Sequence, residues 1–196
     1  MKPAWPSLQI IAFGVILSAC SSDTIVGTQV SAPGNAPIIQ TKPPIIYLKD
    51  NLDEKDQLGW CFDTKGRGFT DQLHAHSCKP TSDDALFVHD DDVLFHYDNM
   101  SGQIRSVTYA NKCAQILAED AEVDFGLLDC DGQSSDQQFD YNALTSEFHP
   151  RDKADQCIAV GGTSAVAGPY MSRALLLVSC DEVDPSLRQW AIFAGG

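Results

Sequence analysis

Six of the seven cysteines fall into three pairs that recur along the chain with nearly constant internal spacing. Cys61 and Cys78 are 17 residues apart, Cys113 and Cys130 again 17, and Cys157 and Cys180 are 23 apart. Successive pairs open at intervals of about 50 residues, a period that marks stacked or rotationally repeated units. An aromatic follows each pair: Phe95 in Val93-Leu94-Phe95, Phe139 in Gln137-Gln138-Phe139 and Trp190 in Arg188-Gln189-Trp190. In the last copy, Gly161-Gly162 and Gly168-Pro169 accommodate extra loop between the two cysteines. Three copies of one unit predict a fold with internal three-fold symmetry. Six cysteines allow fifteen pairings. The repeat selects the three local ones, each closing a loop worth about 3 kcal/mol on the chain-entropy model.

Between residues 45 and 193 the sequence alternates short apolar runs with Gly, Asp, Asn, Ser and Pro, and shows no sustained helical period. Ala85-Leu86-Phe87-Val88, Val93-Leu94-Phe95, Ala114-Gln115-Ile116-Leu117, Phe125-Gly126-Leu127-Leu128, Ala174-Leu175-Leu176-Leu177-Val178 and Ala191-Ile192-Phe193 read as strands of a compact all-β domain. A chain of 196 residues with 43% hydrophobic content buries one core rather than two.

Residues 1–19 carry one basic residue, Lys2, and an apolar run from Ile10 to Leu17, as a secretory signal does. Leu17-Ser18-Ala19-Cys20 resembles the lipobox of bacterial lipoproteins. That resemblance implies cleavage before Cys20, acyl chains on it and, with Ser21 where inner-membrane retention would place Asp, lipid attachment at the outer membrane. Export to an oxidising compartment agrees with disulfide-paired cysteines. Residues 20–44, rich in Ser, Gly, Pro and Thr, read as a flexible tether, and Ile45-Ile46-Tyr47-Leu48 as a packed strand opening a domain over residues 45–196. The net charge of −14 excludes nucleic acid and anionic membrane surfaces as partners, because both repel an acidic protein.

The threefold recurrence of paired cysteines, with Cys61-Phe62-Asp63 as the clearest opening and Arg188-Gln189-Trp190 as the clearest close, resembles the ricin-type β-trefoil lectins over residues 60–193. The resemblance implies a single β-trefoil. It also implies sugar sites made of an Asp two residues after the first cysteine, an aromatic two residues before the second, and an amide near the triplet. A carboxylate accepts from sugar hydroxyls, a ring stacks on the pyranose, and the amide completes the hydrogen bonding. Carried over, these roles fall on Asp63, His76 with His74, and Asp92 in the first copy. The second copy offers Gln115 and Leu128 and the third Ala159 and Val178, so both are expected to be inactive.

Other constellations carry less. His74, His76 and Cys78 alternate like metal ligands on one strand face, but a disulfide at Cys78 removes the thiolate, and no metal or other cofactor is expected. His89-Asp90-Asp91-Asp92 lacks the spacing of a calcium loop. No nucleophile elbow or phosphate-binding glycine pattern is present, so no enzyme is expected. An acylated terminus, a tether and one trefoil are together similar to the A subunit of cytolethal distending toxins, to which the related C subunit adds a second trefoil relative. The similarity implies a surface lipoprotein that binds glycan or another host-cell component within a toxin assembly. The alternative is a protein-interaction scaffold with degenerate lobes and no sugar site; a glycosidase is the least supported.

Overall fold

The computed structural model describes residues 35–66, 68–81, 90–118 and 122–194. The expected signal segment 1–19, the lipid-attachment residue Cys20, residues 21–34 of the tether, and the expected strand at Ala85-Leu86-Phe87-Val88 with His89 lie outside the described residues.

Fourteen strands are described. The first lobe holds β1 (Ile45–Leu48), β2 (Trp60–Thr64), β3 (Leu73–Ser77) and β4 (Phe95–Asp98). The second holds β5 (Gln103–Ser106), β6 (Lys112–Ile116), β7 (Phe125–Asp129) and β8 (Phe139–Asn142). The third holds β9 (Glu147–Pro150), β10 (Gln156–Val160), β13 (Leu175–Ser179) and β14 (Trp190–Phe193), interrupted by an extra hairpin of β11 (Ala165–Ala167) and β12 (Tyr170–Arg173). The expected all-β architecture with three pseudo-repeats is what the chain adopts.

The repeat can be followed residue by residue. Each lobe pairs its second and third strands antiparallel, with Cys61 opposite His76, Cys113 opposite Leu128 and Cys157 opposite Val178. Each lobe's first strand pairs with the last strand of the lobe before it, cyclically: β1 with β14, β5 with β4, β9 with β8. The openings β1, β5 and β9 bury their first, second and fourth residues alike. The disulfides are the three local ones, Cys61–Cys78, Cys113–Cys130 and Cys157–Cys180, each tying a lobe's second strand to the residue just past its third.

The aromatic that closes each copy is fully buried, as its position in the repeat requires: Phe95, Phe139 and Trp190 all lie in one core. Phe62 stacks against Trp190 at 4.8 Å and Phe95 at 6.2 Å, and the indole of Trp190 donates to the Ile158 carbonyl at 2.8 Å. One boundary shifts from expectation. Val93 ends a 3-10 turn, Asp90–Val93, and the strand starts at Phe95, because Leu94 N–H turns back to the Asp91 carbonyl.

Two further segments frame the first lobe. Residues 35–44, at the end of the expected tether, lie on the domain: Ile38 N–H donates to Gln57, and the buried Thr41 hydroxyl donates to the Lys79 carbonyl at 2.7 Å. The extra loop of the third copy forms a hairpin that crosses to the first lobe, where β12 adds to the edge of β3 with Ser172 opposite His76.

Candidate functional site

Alternation along β2 turns Phe62 into the core and Asp63 toward the side that carries the first disulfide. Asp63 lies opposite His74 and Cys61 opposite His76, so β3 delivers both imidazoles to the same neighbourhood, their ring centroids 5.3 Å apart. Asp92 enters from the 3-10 turn before β4. The four residues singled out in the sequence therefore converge in the first lobe.

Lys79 holds them together. Placed directly after Cys78, it reaches Asp63 Oδ2 at 2.8 Å and Asp92 Oδ2 at 3.9 Å. His76 Nδ1 lies 3.6 Å from the same Asp63 oxygen, and the Tyr109 hydroxyl donates to Asp92 Oδ1 at 2.5 Å. From the far side Tyr170 of β12 sets its ring 5.6 Å from that of His76, edge to face. The cluster is thus an ionic group closed over by protein: Asp63 and Asp92 are each only 1% exposed.

Burial governs the protonation of these groups. It drives the Asp63 carboxyl up to about 7 against the pull of the Lys79 ammonium. Burial, then the positive neighbours, pushes His74 down to about 3 and His76 down to about 4, so both rings are neutral at physiological pH. The Tyr109 hydroxyl is raised by burial and by its bond to Asp92, so it stays a donor. Chemically the group offers one ammonium, two carboxyl groups and the Tyr109 hydroxyl in a low-dielectric setting.

Sequence reasoning found Asp63, His74, His76 and Asp92 and missed Lys79, Tyr109 and Tyr170. Lys79 had a readable signal: the residue after the second cysteine is Asp131 and Asp181 in the other copies, and basic only here. Tyr109 and Tyr170 arrive from another lobe and from the added hairpin, which no local pattern announces. The zinc ligand set is broken because Cys78 is bonded to Cys61. His149 lies near Cys157 and Cys180, but those sulfurs are bonded to each other and offer no thiolate.

No protein-family model matches this sequence, and no curated protein does. Solved structures are similar in fold. The β-trefoil lectin of the Vibrio vulnificus hemolysin/cytolysin, crystallised with N-acetyl-D-lactosamine bound, gives a TM-score of 0.51 at 12% identity over 78% of this chain and 93% of that one. The solution structure of the mdaA-1 domain gives 0.52 at 13% identity over 82% of this chain and 98% of that one. The fold is a β-trefoil.

Within the trefoil the three lobes are chemically unequal. Where the first has Asp63 and His76, the second has Gln115 and Leu128, and the third Ala159 and Val178. Gln115 is engaged internally, accepting from the Gln137 amide at 2.8 Å, and Ala159 is buried in β10.

Proposed function

We propose that this chain is a non-catalytic recognition module that binds carbohydrate, tethered to the bacterial outer membrane through acyl chains on Cys20. The observation that carries the reading is the charged group of the first lobe, where Lys79 lies within ion-pair reach of both Asp63 and Asp92, while the positions matching Asp63 in the other lobes, Gln115 and Ala159, are neutral or apolar. A trefoil with one chemically distinct lobe suits a single-site lectin, and the Vibrio vulnificus lectin of the same fold binds N-acetyl-D-lactosamine. Carboxylates that accept and an ammonium that donates match the hydroxyls of a pyranose. An acylated terminus, a tether and a single trefoil agree with a delivery subunit similar to the A subunit of cytolethal distending toxins, acting beside other toxin chains.

The test is a glycan array that includes N-acetyllactosamine, read with the wild-type domain and with Asp63→Ala. Binding that the substitution removes supports the reading; a blank array with folded wild-type protein rejects it. Incorporation of labelled fatty acid that Cys20→Ser abolishes checks the anchor.

One observation favours a second reading, a protein-docking scaffold without a sugar site. Lys79 pairs with Asp63 at 2.8 Å and lies 3.9 Å from Asp92, and Tyr170 stands against His76, so the ligand positions are covered by the chain itself. A blank array together with capture of a co-secreted protein, unchanged in Asp63→Ala, selects this alternative.

A further inference from the structure

The first-lobe cluster has donors and acceptors but no exposed ring, since His76 is buried beside Tyr170 and His74 is half-buried against His76. An exposed ring stands elsewhere. Phe69, in the loop between β2 and β3, is 49% exposed although it is a large apolar side chain. Its loop is shaped by positive φ at Gly66 and Gly68, which place Phe69 at the boundary between the first two lobes.

Two groups of the second lobe meet that ring, and a third pairs with one of them. Tyr109 meets it edge to face, with centroids 5.2 Å apart and planes at 68°. Lys112, the first residue of β6, sets its ammonium 5.0 Å from the ring centroid. Asp129, opposite Lys112 in the β6–β7 register, pairs with that ammonium at 2.9 Å and keeps 80% of its side chain in solvent. The assembly is held from beneath: the Tyr109 hydroxyl is fixed on buried Asp92 and its backbone N–H on the Ser106 hydroxyl.

A half-open aromatic surface, an exposed carboxylate and an ammonium side by side are the three elements that pyranose recognition demands: an apolar plate for the C–H face, an acceptor and a donor. From this we infer that Phe69, Lys112 and Asp129 form a carbohydrate subsite at the boundary of the first two lobes, separate from the Asp63 positions, with Phe69 as the stacking plate. The inference rests on the carbohydrate reading and adds to the Asp63 cluster a second place where a sugar ring is held. Its plate is rigid in advance, because Tyr109 buttresses Phe69 from a side chain itself anchored to the buried cluster, so little ordering is required on binding.

The experiment compares wild-type protein, Phe69→Ala, Phe69→Trp, Asp129→Ala and Asp63→Ala on one glycan array. The strongest array ligand is then titrated, and its protons are followed by saturation-transfer NMR. Loss of one aromatic plate lowers affinity roughly tenfold. The expected result is such a loss in Phe69→Ala and Asp129→Ala, retention in Phe69→Trp, and saturation strongest on the sugar C–H protons of one face. Thermal unfolding of each variant under non-reducing conditions confirms that the fold survives, and the conservative Trp variant separates stacking from folding. Wild-type binding that is unchanged in Phe69→Ala overturns the subsite while leaving the carbohydrate reading standing. A blank array with wild-type protein overturns both.

Discussion

Glu147 and Arg188 form a charge pair in the third lobe at the place where the second lobe sets Gln103 against Gln137 and the first sets Ile45 against Val93. One pair of backbone positions thus carries three chemistries, ionic, amide and apolar. Each is complementary within itself, because a buried group must have its partner beside it. The change of triplet opening from Gln137 to Arg188 and Val93 therefore follows a change of partner on the strand opposite. It does not mark a decayed lobe.

That complementarity makes the pair separable by mutation. Glu147→Gln leaves the Arg188 guanidinium short of its carboxylate and is expected to cost roughly 2–3 kcal/mol, as is Arg188→Gln for Glu147. The double variant, which copies the amide pair of the second lobe, is expected to recover most of the loss. Urea unfolding of the four proteins in a double-mutant cycle measures the coupling, and strictly additive losses would contradict it.

Lys79 is the cation that makes two buried carboxylates tolerable in the first lobe. Lys79→Met removes the charge and keeps the stem, leaving Asp63 and Asp92 without that cation. A loss of about 2–4 kcal/mol is expected at pH 7.5. The loss shrinks at pH 5, where Asp63 takes up a proton, and Asp63→Asn in the same background restores part of the stability. Equal losses at both pH values would show that the cluster's charge is not what Lys79 balances.

The disulfides offer a check on the lobe arrangement itself. Cys61 and Cys78 are fully buried against Ile45 and Val93, so Cys61→Ala with Cys78→Ala forfeits packing as well as the cross-link. About 3 kcal/mol or more is expected from the closed loop alone. Peptide mapping under non-reducing conditions should return the three local pairs and no bridge between lobes.

Much of this architecture was legible in the cysteines because a repeated covalent spacing leaves few alternatives. Phe95, Phe139 and Trp190 could be placed in one core from their positions after each pair, and β6, β7, β13 and β14 announced themselves as apolar runs. Strands such as β5, Gln103-Ile104-Arg105-Ser106, were not legible, since the inward positions include Gln103, whose burial depends on Gln137 more than thirty residues away. The same limit applied at the site. Asp63, His74, His76 and Asp92 come from one lobe and share a local pattern. Tyr109 belongs to the next lobe, and Tyr170 to an insertion whose glycines marked a loop without showing that it would extend the first-lobe sheet.

The buried histidines set the response to acid. In the folded chain His74 is held down at about 3 and His76 at about 4, against 6.5 for a free imidazole. Between pH 6.5 and 4.5 the unfolded chain binds protons on both that the folded chain does not, so their contribution to stability falls as pH falls. Asp63 opposes them: held up at about 7 against an ordinary 3.8, it gains a proton in the folded chain first, and its contribution rises as pH falls over the same window. Asp53, Asp98 and Asp184, all held below 3.8, titrate beneath it. Two groups outweigh one, so the summed contribution of these three groups decreases on acidification by up to about 1.4 kcal/mol per pH unit, the slope for one proton. Replacing both histidines, His74→Gln with His76→Gln, leaves Asp63 dominant and should reverse the sign. Urea midpoints at pH 4.5, 5.5 and 6.5 read both slopes, and a wild-type midpoint that rises on acidification would overturn the balance of two imidazoles against one carboxyl.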